Sequence, residues 1–222
     1  RPGAGRVYEG DVGLYVRNVG ESNKDVRAHA ESLGLDIALQ EPQLGTGHAV
    51  QCAQENLAGF DGDVVVLYAD TPLIRSSTLE RVFDALGTGT DVAVMGFETE
   101  SPAAYGRRIE EGGKRMKIVE AKDASPQELA VQLCNSGVMA ASSTDMFKAL
   151  DEVGNDNANG EYYLTDIVEI LRGHGKAAVA VHADEEEVLG VNSRADLALA
   201  ESAFQTRMRN EIMMSGVTLR DP

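Results

Sequence analysis

Val64-Val65-Val66-Leu67-Tyr68-Ala69-Asp70-Thr71-Pro72-Leu73 reads as an apolar strand that ends on a carboxylate. Continuous apolar runs of this kind belong to strands covered on both faces, the habit of parallel sheets in α/β folds. Such sheets bind ligands beyond the carboxyl ends of their strands, which is where Asp70 stands. Upstream, Gln40-Glu41-Pro42-Gln43-Leu44-Gly45-Thr46-Gly47-His48-Ala49 reads as a turn rich in glycine and amide groups that opens a helix. Backbone N–H groups at a helix N-terminus attract phosphate. The pair points to a nucleotide with its phosphates and a metal.

Outward from this stretch, strands and helices alternate. Residues 22–33 predict a helix with Val26, Ala30 and Leu33 on one side and Gly34 as its stop. Residues 35–39 predict a strand, and a helix then runs from the Gly45-Thr46-Gly47 turn to about Ala58. Ser77-Thr78-Leu79-Glu80 has the spacing of a capping box for a helix ending at Gly87. Residues 91–97 predict another apolar strand. The rhythm then changes: residues 105–120 read as a hairpin turning at Glu111-Gly112-Gly113, and residues 131–141 as a long strand. Ser142 or Ser143 caps a helix, Leu164, Ile167, Val168 and Leu171 line another, residues 177–181 form a strand, and a long helix spans 193–214. This is a βαβ sheet carrying an antiparallel insertion. Residues 1–25 fit poorly. Val7, Val12, Leu14 and Val16 suggest strand, but Arg1-Pro2-Gly3-Ala4-Gly5 is a poor phosphate turn with no strand before it.

A chain of 222 residues fits one domain, and 43% hydrophobic with 25% charged residues is ordinary globular composition. The net charge of −16 argues against nucleic acid, which is held mainly by Lys and Arg. An anionic substrate would need local backbone amides, a few basic side chains or a cation. Cys52 and Cys134 both read as small core residues. His29, His48, His174 and His182 show no metal-ligand spacing, so zinc is not expected. With no signal peptide and no apolar run of membrane length, the expected compartment is the cytoplasm. Arg1 is not a natural start, so a fragment or a processed chain is expected. Asp184-Glu185-Glu186-Glu187 reads as a solvated loop.

Several positions admit two readings. Asp70 is either a hard ligand for Mg²⁺ or the start of an Asp-Thr-Pro turn. Asn192, in Leu189-Gly190-Val191-Asn192-Ser193-Arg194, is either a neutral oxygen ligand opposite Asp70 or, with Ser193, the cap of the last helix. Gly45 and Gly47 let a backbone pass close to a base or phosphate, and Gln40 and Gln43 can read an amide-like base edge, whereas Thr46 is otherwise a plain cap. Tyr105-Gly106-Arg107, Glu120 and Asn135-Ser136-Gly137 fall on the insertion. Polar groups that interrupt apolar strands there suit the hydroxyls of a sugar.

These motifs resemble a known family. Gln43-Leu44-Gly45-Thr46-Gly47-His48-Ala49, Tyr68-Ala69-Asp70-Thr71-Pro72-Leu73 and Tyr105-Gly106-Arg107 are similar to the sugar-1-phosphate nucleotidyltransferases. Val119-Glu120-Ala121-Lys122-Asp123-Ala124, Asn135-Ser136-Gly137, Asn159-Gly160-Glu161-Tyr162-Tyr163-Leu164-Thr165-Asp166 and Gly190-Val191-Asn192 narrow the resemblance. It is to the uridyltransferase domain of the bacterial bifunctional N-acetylglucosamine-1-phosphate uridyltransferase/glucosamine-1-phosphate acetyltransferases.

The resemblance implies an α/β, Rossmann-like nucleotidyltransferase fold, a mostly parallel sheet with an antiparallel sugar-binding insertion. It implies transfer of UMP from UTP to N-acetylglucosamine 1-phosphate, giving UDP-N-acetylglucosamine and pyrophosphate for cell-wall precursor synthesis. By position, Asp70 and Asn192 are the catalytic Mg²⁺ ligands. Gln40, Gly45 and Thr46 match uridine contacts, and Tyr68 and Ala69 precede the metal ligand, with Ala69 where the family usually has Gly. Gly106, Glu120 and Asn135 match acetamido-sugar contacts, with Tyr163 and Thr165 nearby. Residues 1–216 would be the nucleotidyltransferase domain and 217–222 the lead into a left-handed β-helix domain, without which a monomer is expected. The family's opening Gly-rich phosphate loop has no counterpart in residues 1–25, so slow turnover with retained UDP-sugar binding is expected. Another sugar-1-phosphate nucleotidyltransferase, or a binding-only UDP-sugar remnant, is the alternative.

Overall fold

The computed structural model describes residues 24–87, 89–111 and 115–220. Two strands, β2 (Val92–Glu98) and β5 (Leu133–Ser142), form the middle of a six-stranded sheet because their side chains are apolar on both faces. Alternation along β2 sends Val92 and Val94 to one face, and Ala93, Met95 and Phe97 to the other. On the first face lie α5 (Ser143–Leu150) and α6 (Ile167–Gly173), which bury Met146, Phe147, Ile167, Val168 and Leu171. On the second lies α3 (Ser76–Leu86), burying Leu79 and Val82. The result is three layers, helices on either side of a sheet. Each fully buried Leu, Ile, Val or Met side chain in these layers stabilises by about 1.5–3 kcal/mol relative to exposure.

The strand order is β4 (Arg115–Val119), β3 (Arg107–Glu111), β5, β2, β6 (Ala178–His182), with β1 (Asp63–Val66) also on β5. Since β2 lines one edge of β5, β1 and β3 share the other, β1 along residues 139–142 and β3 at Cys134. Among the described residues only β2 and β6 pair in parallel, which corrects the expectation of a mostly parallel sheet. The reason is β5, which runs antiparallel to both β1 and β2. Like β3, the strands β1, β2 and β6 run opposite to β5; β1, β2 and β6 end alongside its amino end. Their carboxyl ends and the amino end of β5 therefore meet at one edge of the sheet.

Most elements lie where the hydrophobic pattern puts them. The insertion is the β3–β4 hairpin, pairing Arg107 with Val119, and the short α4 (Pro126–Leu129) follows, opened by a complete Ser125–Glu128 capping box. Ser142 caps α5 and Ser193 caps α7 (Arg194–Met214). Four expectations change. Residues 35–39 make no ladder among the described residues, so α1 (Lys24–Ser32) is followed by coil. The helix after Gly45, α2 (Thr46–Gln51), ends early and continues as i→i−3 turns through Ala58. Ser77 lies inside α3, whose N-cap is Arg75 without a side-chain cap. Cys134 is buried as expected, but Cys52 is only half-buried, its Sγ 3.8 Å from His48 Nε2. The expectations for residues 1–23 lie outside the described residues, and no described helix is long and apolar enough to cross a membrane.

Candidate functional site

The sheet edge defined by the ends of β1, β2, β5 and β6 gathers most of the polar motifs. On one side, the Gly45-Thr46-Gly47 turn is zipped to the segment 162–164. Tyr162 N donates to Leu44 O at 2.8 Å, Gly47 N donates to Tyr162 O at 2.8 Å, and Leu164 N donates to Thr46 Oγ1 at 3.0 Å. Gly45, at φ 115°, has no room for a side chain, since a Cβ would lie 2.6 Å from Tyr162 O. Gln40 is 2% exposed, and its Nε2 donates to Gly45 O at 2.9 Å and lies 3.1 Å from His48 Nδ1. The Gln40 amide thus shapes the turn from inside, while Thr46 and Gln43 stay exposed.

Tyr68 crosses from the end of β1 to β5. Its ring lies against Gly137, where a Cβ would come within 1.7 Å of Tyr68 Cε2. Gly137 is part of a bulge: residues 136–138 of β5 face only Met95 of β2. Ser136 satisfies the disrupted backbone, its Oγ donating to Met95 O at 2.8 Å and accepting from Val138 N at 3.2 Å. Burial pushes the Tyr68 phenol up to about 12, against a lowering hydrogen bond with the Thr46 hydroxyl. It therefore stays protonated at neutral pH. Sequence reading placed Asn135-Ser136-Gly137 on the insertion without seeing that it forms this bulge.

The hairpin brings a third group. Gly106 O accepts from Asn135 N at 2.8 Å, and the Glu120 carboxylate lies so close that a Cβ on Gly106 would sit 3.4 Å from its Oε2. Thr165 Oγ1, 5% exposed, donates to Glu120 Oε1 at 3.0 Å. Asn135 is 6% exposed, and its Oδ1 has no hydrogen-bond partner, a buried acceptor ready for a donor. Tyr163 is buried beside this group. Arg107, which the motif reading left without a task, wraps its guanidinium around the carbonyls of Tyr105, Ala103 and Leu129, and so holds the Tyr105-Gly106 turn. Burial raises the Glu120 carboxyl, opposed by the Thr165 hydrogen bond. Asp166, which sequence reading missed as a charged member of the cluster, is pushed up to about 6, first by burial and then by Glu120, Glu169 and Asp123.

Asp70, Ala69 and Asn192, like Thr46, are exposed. Their segments touch, Val191 N donating to Asp70 O at 2.7 Å. Asn192 N and Ser193 N donate to Asp196 Oδ2 at 3.1 and 2.8 Å, inside the capping box of α7. Ser193 is the cap, which leaves the Asn192 side chain uncommitted to that role. The Asp70 charge is felt by Tyr68 and by Tyr105, whose hydroxyl meets the Gly190 backbone. A carboxylate and an amide oxygen are hard donors that suit a small divalent cation, and two protein oxygens suffice for an ion that arrives on phosphates. No cluster of three or more His, Cys, Asp or Glu with metal-site geometry occurs among the described residues.

The run Asp184-Glu185-Glu186-Glu187 is only partly the solvated loop that its composition suggests. Glu185 Oε1 accepts from Thr99 Oγ1 at 2.6 Å, and Glu187 is 2% exposed beside Arg75.

The chain is 58% identical over 204 residues to the bifunctional protein GlmU of Maricaulis maris, covering 91% of this chain and 45% of that protein. It is 51% identical over 219 residues to GlmU of Ruegeria pomeroyi, covering 99% of this chain and 48% of that protein, so that match takes in most of residues 1–25. The chain thus spans about half the length of these curated relatives. Among solved structures, a UDP-glucose pyrophosphorylase complexed with UDP-glucose superposes with a TM-score of 0.61 at 16% identity, over 86% of this chain and 75% of that one. A nucleoside-diphosphate-sugar pyrophosphorylase from Vibrio cholerae gives 0.59 at 19%, over 83% and 78%. Both likenesses show the nucleotidyltransferase fold. The model of the MobA-like NTP transferase domain matches residues 15–210, and the chain belongs to that family.

Proposed function

We propose that this chain transfers UMP from UTP to N-acetylglucosamine 1-phosphate, releasing pyrophosphate and forming UDP-N-acetylglucosamine, with residues 1–216 as the nucleotidyltransferase domain. The observation that carries the reading is the unpartnered Asn135 Oδ1, buried beside Glu120 and Gly106 on a hairpin next to the Tyr68–Gly137 bulge. A buried acceptor of this kind accepts the N–H or hydroxyl of an acetamido sugar, since leaving it unpaired costs about 1–3 kcal/mol. The match to GlmU proteins over most of this chain supports a uridyltransferase reading.

The roles follow from the arrangement. Gly45 and Thr46 present their edge to the uridine, and Gln40 keeps that turn in shape from below. Thr165 holds one oxygen of Glu120, which leaves the other to accept a sugar hydroxyl. Tyr68, Ala69, Gly106 and Tyr163 would border the bound substrates, Tyr68 and Tyr163 with phenols whose burial raises their pKa. Asp70 and Asn192 would hold Mg²⁺, which neutralises charge on the phosphates when bound. The sugar phosphate oxygen attacks the α-phosphorus in line and pyrophosphate leaves, with no covalent enzyme intermediate. The chain's contribution is to orient the two substrates and to exclude water between them.

A coupled pyrophosphate assay with UTP and N-acetylglucosamine 1-phosphate tests the reading. Pyrophosphate release that depends on both substrates is expected. Release with glucose 1-phosphate at equal efficiency would shift the assignment to another sugar-1-phosphate nucleotidyltransferase, and no release with any sugar phosphate would remove it. Equal affinities for UDP-N-acetylglucosamine and UDP-glucose in titration would show that Glu120 and Asn135 do not read the acetamido group.

A further inference from the structure

Two arms of equal length carry the proposed cation ligands. One runs from Asp70 to Arg75 and the other from Glu187 to Asn192. They are tied at both ends. Near the ligands, Val191 N donates to Asp70 O at 2.7 Å. At the far end, Arg75 N donates to Glu187 Oε2 at 3.2 Å, and Arg75 Nε lies 3.6 Å from Glu187 Oε1. Arg207 of α7 donates to Leu73 O at 2.9 Å between them.

The far tie uses the Glu187 carboxylate, which is buried at 3% exposure, while the Arg75 side chain is 38% exposed. Its position has a physical cause. Helix α3 begins at Arg75 with no side-chain cap and no acidic residue in its first turn. The Glu187 carboxylate, 112 positions away, sits against that bare N-terminus, where the helix dipole favours an anion. Val188 next to it is 1% exposed and packs in the same apolar cluster as Leu79 of α3, so the 3-10 turn Glu185–Val188 is seated rather than loose.

We infer that Glu187 and Arg75 are positioning residues: their pair closes the ring formed by the two arms and thereby sets the spacing of Asp70 and Asn192 and the affinity for a divalent cation. The inference rests on the reading of Asp70 and Asn192 as cation ligands. Val191 N on Asp70 O, the Asp196 cap on Asn192 and Arg207 on Leu73 O each hold part of one arm or join the arms at one point. That leaves freedom in the separation of the arms, and a cation bound by only two protein oxygens is sensitive to it. Closing the ring at its other end removes most of that freedom.

Mn²⁺ titration of the purified chain, followed by the EPR signal of the free ion, tests it without reference to turnover. Asp70→Ala defines the relevant sites. If it leaves Mn²⁺ binding unchanged, the ligand reading fails, and the inference with it. Given loss in Asp70→Ala, Glu187→Ala is expected to weaken the same binding about 10–100-fold, as loss of a supporting shell commonly does. Glu187→Gln, which still accepts from Arg75 N, and Arg75→Met, which keeps that N–H, are expected to lose less. All are measured well below their unfolding midpoints with folded far-UV circular dichroism, so a merely structural pair would lower the midpoint and leave the Mn²⁺ affinity of the folded protein unmoved. Parent affinity in the folded variants overturns the inference. If Glu187→Ala does not fold, Glu187→Gln and Arg75→Met decide it by the same comparison.

Discussion

The turn at Gln40–Gly47 and the edge at Asp70 and Asn192 are built on opposite terms. In the first, the groups that shape the backbone have partners within the protein: Gln40 on Gly45 and His48, Gly47 on Tyr162, and Thr46 on Leu164 and Tyr68. In the second, a carboxylate and an amide stand exposed, while only their backbones and neighbours are tied. Groups that already have partners inside the protein hold shape. Groups left in water remain available to a ligand. Substitutions on the two sides should accordingly separate stability from activity.

Asp70→Asn should give the largest effect, and only on activity. Removing a positioned charge commonly costs on the order of 10²–10³ in rate, whereas an exposed substitution usually stays within about 0.5 kcal/mol of stability. Pyrophosphate release and urea unfolding on one preparation check both halves. A comparable loss of stability would erase the contrast.

Gly137→Ala strikes the scaffold between the two regions. The added Cβ would fall within van der Waals overlap of Tyr68 at a backbone φ of 88°. Strain at such a φ and overpacking each cost about 1–3 kcal/mol, so a loss of about 3 kcal/mol in urea unfolding is expected, with Tyr68 displaced. Gln40→Ala should cost about 1–3 kcal/mol through lost buried hydrogen bonds. If its unfolding free energy matches the parent while turnover collapses, Gln40 belongs with the ligand-facing groups instead.

The smallest effect concerns Asp166. Its folded pKa of about 6 lies above the unfolded carboxylate value near 3.9. The folded state therefore holds the extra proton, and stability falls as pH rises from about 4 through 6. Asp166→Asn should be more stable than the parent by about 1–2 kcal/mol at pH 7.5, discounted for partial exposure, with the difference gone by pH 4. Thermal unfolding at the two pH values checks the sign.

How far the sequence was legible depends on the range of the interactions. The Ser125–Glu128 and Ser193–Asp196 boxes join neighbours on the chain, so spacing alone reveals them. The Ser77-Thr78-Leu79-Glu80 spacing has the same form but lies within α3, because the helix starts earlier, at an end that Glu187 covers from across the fold. The acidic run illustrates the same limit: its composition says solvent, and only the approach of Arg75 makes Glu187 a buried partner.

By itself the sequence determined the hairpin insertion, the family and, apart from the strand expected at residues 35–39, the order of strands and helices from α1 onward, since hydrophobic period and ordered motifs are local and survive without coordinates. Tertiary structure alone decided that β5 runs against β1 and β2, that Ser136 and Gly137 bulge to admit Tyr68, that Gln40 turns inward, and that Glu187 meets Arg75. The strand direction, the bulge and the Glu187–Arg75 pair depend on surfaces that meet from distant parts of the chain. Gln40, whose partners are near in sequence, turns inward only because the turn itself is zipped to residues 162–164, and none of this is encoded in the spacing of neighbours.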